Sequence, residues 1–141
     1  MWERSYEKEI TGVSREAIWR VWSDIDHWHE WNPGIKQTTL KGNFAVGSVF
    51  TLQPLKGPKV EIALIEIEEG ISFTDCTTFP GAKMHGSHKI ISEKDGGLRL
   101  VTTIQVTGFL GFLWRKIVAQ GIVDKMPEQT AQLIELARSK G

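Results

Sequence analysis

Residues 2–11 alternate, with Trp2, Tyr6 and Ile10 on one side and Glu3, Glu7 and Glu9 on the other. That period of two predicts a half-buried strand. Ser14 follows in the position of a helix N-cap, and Glu16 lies in the first turn, where the helix dipole favours negative charge. Val13 and Ile18 have the spacing of a hydrophobic staple. Ile18, Val21, Trp22 and Ile25 then recur at i, i+3, i+4 and i+7, the stripe of a helix facing a core. Asp24 to Asp26 breaks this helix. A second short helix, about 26–31, runs into Asn32-Pro33-Gly34, where Pro and Gly occupy the second and third positions of a type II turn. Four of the six tryptophans fall between Ser14 and Gly34.

From residue 35 the pattern returns to strands, predicted at 35–41, 48–55, 59–67, 71–79, 83–93 and 98–107. They are separated by Gly42-Asn43, Lys56-Gly57-Pro58, Glu68-Glu69-Gly70, Pro80-Gly81 and Asp95-Gly96-Gly97. Connections this short require antiparallel neighbours. Helical periodicity resumes over 109–140, through Leu110, Leu113, Trp114, Ile117, Val118, Gly121 and Ile122 to Thr130, Leu133, Ile134 and Ala137. Pro127 lies inside it and predicts a kink or a restart. The expected fold is α+β: a single domain over 1–141, with a seven-stranded curved antiparallel sheet around a long C-terminal helix and two short helices between strands one and two. Only the last helix is long enough to cover the sheet, and a cleft is expected between them.

Composition narrows the partners. Lys plus Arg equals Asp plus Glu, 17 each, and no basic cluster interleaves with aromatics, so nucleic acid is not expected. The stretch 109–123 is the most apolar, but Arg115, Lys116 and Gln120 interrupt it, so no integral membrane segment is expected. The N-terminal residues are charged rather than apolar, and the lone Cys76 offers no disulfide framework. The expectation is a cytoplasmic protein. Nothing in the sequence sets its oligomeric state.

The chain resembles the START/Bet v 1-like (SRPBCC) superfamily, and within it the polyketide cyclase/dehydrase-like proteins. The residues that carry this are Val13-Ser14-Arg15-Glu16-Ala17-Ile18-Trp19 and Trp28-His29-Glu30-Trp31-Asn32-Pro33-Gly34-Ile35. Further matches are Phe44-Ala45-Val46-Gly47-Ser48, Gly57-Pro58-Lys59-Val60, Phe73-Thr74-Asp75, Pro80-Gly81-Ala82, His88 and Met126-Pro127. His29 departs from the pattern, since relatives often have proline there. The resemblance implies the helix-grip fold and a hydrophobic cavity between sheet and long helix. It implies no transferable catalytic set.

Strand alternation selects the side chains that face such a cavity: Ile71, Phe73, Asp75, Thr77 and Phe79; Met84, Gly86, His88 and Ile90; and Leu98, Leu100, Thr102, Ile104 and Val106. Asp75 and His88 both point inward. The Pro80-Gly81 turn allows two registers, one placing them opposite and one diagonal, and a hairpin at Asp95-Gly96 brings Thr102 or Ile104 beside His88. A carboxylate that orients an imidazole and raises its basicity makes a general base. The same pair also serves simply as a polar contact in a cavity wall. On the long helix, Trp114, Ile117 and Gly121 share a face, and Gly121 leaves either a notch for a ligand or room for close packing. The strand at 59–67 has apolar residues on both faces, which leaves Glu61 a candidate cavity carboxylate.

No metal or other cofactor is expected. His27 and His29 are two apart, while His85 and His88 fall on opposite strand faces. Ser87 points away from His88, and Cys76 faces outward. The expected function is binding of a small hydrophobic or aromatic molecule, lipid- or polyketide-like, in the cleft. Its wall would be Trp31, Phe73, Met84, Ile90, Leu100, Thr102, Ile104, Trp114, Ile117 and Gly121, with Asp75 and His88 as the polar handle. The alternative is a cyclase or dehydratase using His88 as base and Asp75 to orient it. The third reading is an interaction domain with a vestigial cavity.

Overall fold

The computed structural model describes residues 1–140. Its strands are β1 (Trp2–Ile10), β2 (Ile35–Leu40), β3 (Val49–Pro54), β4 (Val60–Glu68), β5 (Ser72–Phe79), β6 (Ala82–Ser92) and β7 (Leu98–Thr107). They form one antiparallel sheet in the order β1-β7-β6-β5-β4-β3-β2. Between β1 and β2 lie helix α1 (Arg15–Ser23) and a 3₁₀ segment (Ile25–Glu30). After β7 the chain forms α2 (Gly111–Trp114), a π-helical turn (Arg115–Ala119) and α3 (Gln120–Lys140), which together make one long C-terminal helix.

Strands β1 and β2 are opposite edges of the sheet, so residues 11–34 must cross its full width. Over a flat sheet that distance is about 25–30 Å. The crossing is made by the tryptophan-rich stretch. The Ser14 side chain caps α1 by accepting from the Ala17 N–H at 3.1 Å. Arg15 then ties the helix start to the sheet, donating to the carbonyls of Gly70 and Ile90 and to Ser92 Oγ. Trp19 donates its indole N–H to Glu69 at 3.0 Å, and Trp28 donates to the Trp22 carbonyl at 2.9 Å. Trp19, Trp22, Trp28 and Trp31 are all buried in one core cluster with Phe50, Phe73, Ile90 and Leu100.

Two local expectations are corrected, and the open question of the inward side of the strand at 59–67 is decided. Gly34 does not take the positive φ that a type II turn requires. Instead the Asn32 carbonyl accepts from Ile35, and the Asn32 side chain accepts from the Gly34 N–H at 3.0 Å. Pro127 does not interrupt the helix, because α3 runs through it with the proline on its exposed side. The irregularity lies upstream, in the π turn. Strand β4 carries a bulge between Leu64 and Glu66, so its buried side changes from Ile62 and Leu64 to the half-buried Ile67. Glu61 is exposed and leaves the cavity wall.

Removing the large ring at the centre of the crossing segment should be far more costly than removing its cap. Trp22→Ala is expected to lose about 3–5 kcal/mol, and Ser14→Ala about 1 kcal/mol. Urea denaturation of the two variants checks this order, and equal losses would mean that the aromatic packing is not what holds α1 down.

Candidate functional site

Register places the candidate residues in rows across the concave face, because directly paired residues on neighbouring strands point to the same side. Tyr6, Thr102, His88 and Phe73 form one row across β1, β7, β6 and β5. Ile104, Gly86 and Asp75 form the next, and Val106, Met84 and Thr77 the one after. The Pro80-Gly81 turn has therefore selected the diagonal register, with Phe73 rather than Asp75 opposite His88.

His88 Nε2 and Asp75 Oδ2 are 4.0 Å apart, too far for a hydrogen bond. Their side chains keep 15% and 13% of their surface exposed. The imidazole stacks on Phe73, with centroids 4.5 Å apart and planes 18° from parallel, and lies 5.5 Å from the Trp22 ring. Gly86 makes room for the carboxyl: a Cβ there would come within 2.9 Å of Asp75 Oδ1.

Burial decides the charge state of both groups. It pushes the Asp75 carboxyl up to about 7, and the neighbouring Gly86 N–H only partly offsets this. It lowers the His88 imidazole to about 4. The expectation that Asp75 raises the basicity of His88 is not met, because desolvation outweighs a carboxylate that is itself reluctant to ionise.

These polar residues lie along the boundary between two separate apolar clusters. Phe73, Ile90, Leu100 and Trp31 belong to the larger cluster, while Met84 and Ile104 join Val106, Ala119 and Met126 in the smaller. Between them Thr102 is half-buried, and Thr77 Oγ1 is buried without a hydrogen-bond partner. Trp31 packs edge-on against Trp28, its indole N–H buried and unpartnered. Trp114 stacks on Phe79 at 4.5 Å and donates to the Pro80 carbonyl.

Ile117 and Gly121 are not brought to the cleft. Ile117 is 60% exposed, and nothing lies within 4 Å of a Cβ built at Gly121. Both face away from Val118, Ala119, Ile122 and Met126, the side of the helix that packs into the smaller cluster. Ala119, Met126, Thr130, Leu133, Ile134 and Ala137 are buried instead. The strand sequence gave one usable signal for Gly86, a lone glycine inside an alternating strand. Tyr6 carried none, since its place in the row depends on pairing between chain positions 6 and 102.

Two surface recesses lie elsewhere. One, of about 450 Å³, is lined by Ala17, Arg20, Val21, Asp24, His27, Leu136 and Lys140. The other, of about 250 Å³, is formed by residues of β1, β7 and the β6–β7 turn, among them Glu9, Asp95 and Leu98. Neither is lined by Asp75 or His88.

The two shifts give opposite pH slopes. Between pH 3.8 and about 7 the folded chain keeps a proton on Asp75 that the unfolded chain gives up, so stability falls as pH rises. Between pH 6.5 and about 4 the unfolded chain takes a proton that folded His88 refuses, so stability falls as pH drops. In their shared window the slopes oppose each other. Asp75→Asn should expose a stability that rises with pH, and His88→Gln one that falls with pH, each by at most about 1.4 kcal/mol per pH unit. Denaturation midpoints across this window read both slopes, and variants that track the wild type would show that burial does not set these charges.

Comparison with solved structures agrees with this architecture. A protein of Helicobacter pylori, jhp0584, superimposes with a TM-score of 0.78 at 14% identity, over 96% of this chain and 88% of that one. Thermus thermophilus TTHA0849 gives 0.74 at 16% identity, over 99% of both chains. Norcoclaurine synthase of Thalictrum flavum, solved with dopamine and hydroxybenzaldehyde, gives 0.71 at 13% identity, over 99% of this chain and 89% of that one. At these identities the likeness is one of fold: the Bet v 1-like helix grip. No curated protein matches the chain in sequence. The family model for polyketide cyclase/dehydrase and lipid transport matches residues 1–137, and the chain belongs to that family.

Proposed function

We propose that the chain binds a small apolar or aromatic molecule, lipid- or polyketide-like, between the concave sheet and the C-terminal helix. Asp75 and His88 serve as its polar handle. The observation that carries this reading is the polar strip of Thr102, His88, Asp75 and Thr77 between two apolar clusters. Buried polar groups are normally satisfied, yet Thr77 Oγ1 has no partner, and Asp75, which accepts from the Gly86 N–H, stands too far from His88 to bond it. A ligand carbonyl or hydroxyl at the pair would accept from the protonated carboxyl or donate to the neutral imidazole. The apolar clusters on either side, with Phe73, Ile90, Leu100, Met84 and Ile104, would contact the rest of the molecule. Neither recess opens here, so entry requires the packing around the strip to give way. The aromatic compounds bound by norcoclaurine synthase are of the size and type this reading needs.

One observation favours the enzymatic alternative. A carboxyl with a pKa near 7 is matched to general acid–base work at neutral pH. In that reading Asp75 exchanges the proton and His88 holds the substrate, the reverse of the roles read from the sequence.

Native mass spectrometry of gently purified protein should retain a hydrophobic compound, and calorimetric titration with that compound should show Asp75→Asn and His88→Ala each binding about tenfold more weakly. An enzyme would instead lose turnover by at least about a hundredfold on Asp75→Asn with affinity nearly kept. Wild-type protein that retains no compound and binds none from a lipid and polyketide panel would sink the binding reading.

A further inference from the structure

The start of the C-terminal helix is apolar on two sides, and the fold uses only one. Leu110 packs over the β5–β6 turn: its N–H donates to the Gly81 carbonyl at 3.0 Å, and its side chain fills the space where a Cβ of Gly81 would be. Gly111 is buried, and Trp114 is held by Phe79 and Pro80. The opposite side carries Phe109, Phe112, Leu113 and Ile117, exposed by 82%, 56%, 40% and 60%. Phe112, Leu113 and Ile117, with Lys116 and Gln120, also exposed, share one helix face, and Phe109 adjoins it in the turn that precedes the helix. Four of the ten exposed large hydrophobic residues among those described thus gather in nine positions. They stand on an anchored segment, so they project as a fixed apolar ridge. Isolated exposed apolar residues need no explanation, but a contiguous ridge marks an interaction surface.

Charge indicates the occupant. Between residues 109 and 123 there are two basic residues, Arg115 and Lys116, and no acidic one. Lys83, exposed, begins just beyond the turn that anchors the ridge. The nearest acidic residue along the helix is Asp124, which accepts from Gln120 at 2.8 Å. A two-fold dimer built on this ridge would bring Lys116 against its own copy with no carboxylate in the ridge to answer it. An anionic bilayer answers both features, taking exposed phenylalanines into its interfacial layer and pairing lysine and arginine with lipid phosphates. Among the described residues no helix is long and apolar enough to cross a membrane, so such contact would lie on the surface.

We propose that the ridge of Phe109, Phe112, Leu113 and Ile117, flanked by Arg115 and Lys116, is a peripheral docking surface for an anionic lipid bilayer. The proposal stands whether or not the cleft holds a ligand. Co-sedimentation tests it with vesicles of phosphatidylcholine containing phosphatidylglycerol, against vesicles of phosphatidylcholine alone. Wild-type protein should bind the anionic vesicles at least about tenfold more strongly, and added salt should weaken the binding. The double variant Phe109→Ser, Phe112→Ser should lose binding, and Arg115→Glu, Lys116→Glu should lose the preference for anionic lipid. All four side chains are outside the core clusters, and unchanged circular dichroism and melting would confirm that the variants fold. Wild-type protein left in the supernatant with both vesicle types would overturn the proposal, as would full binding by the phenylalanine variant. Self-association in sedimentation velocity that Phe112→Ser abolishes, without vesicle binding, would give the ridge to a second copy and overturn it equally.

Discussion

The interaction on which the rest of the molecule depends is the packing of rings around Phe73. This side chain, at the centre of the sheet, meets Trp19, Trp22, Trp28 and Phe44 edge-on or tilted, at centroid distances of 5.4–6.2 Å, and stacks against His88 on its other side. Edge-to-face geometry of this kind adds to the burial of large apolar surface. It fastens the crossing segment to the middle strands, which is what allows β1 and β2 to occupy opposite edges of one sheet. The same contact holds the imidazole of His88 flat against a ring and 4.0 Å from Asp75. The candidate site is thus one wall of the core cluster.

The polar strip beside it is an interruption of the core. Apolar residues at those positions would join the two clusters into one. Instead the sheet places a carboxyl, an imidazole and two hydroxyls there, and the carboxyl and imidazole are both driven toward their neutral forms by the same desolvation. Two neutral groups, one a donor and one an acceptor, can be buried at much lower cost than an ion pair. They also suit a neutral ligand better than a charged one. Gly86 is part of this arrangement, since the carboxyl occupies the space its missing side chain leaves.

The C-terminal helix serves two tasks along its length. The stripe from Ala119 to Ala137 closes over the sheet. Upstream, Leu110 and Trp114 lock the helix start to the β5–β6 turn, and the remaining apolar residues face out.

Much of this was legible along the chain. Alternation and the helical stripe of α1 gave the element order, because burial on one face imposes periods that need no knowledge of the partner surface. Ser14 was readable as a cap for the same local reason, and Asp75 and His88 as inward residues from strand parity alone. What depended on partners was not legible. Register across Pro80-Gly81 was open until the pairing of Phe73 with His88 chose it. The inward side of β4 was ambiguous because a bulge makes both faces partly right. The direction of Ile117 and Gly121 was misread because the start of the helix is apolar on both sides, and only packing chose which side meets the sheet. The expectation for His88 erred because a carboxylate raises a neighbour's basicity only while it is itself charged, and burial is a property of the assembled core. The sequence by itself determined which residues lie on which side of each element, since that follows from backbone geometry. Only the tertiary structure decided which of those sides meet, how closely, and with what charge, since these depend on contacts between residues far apart in the chain.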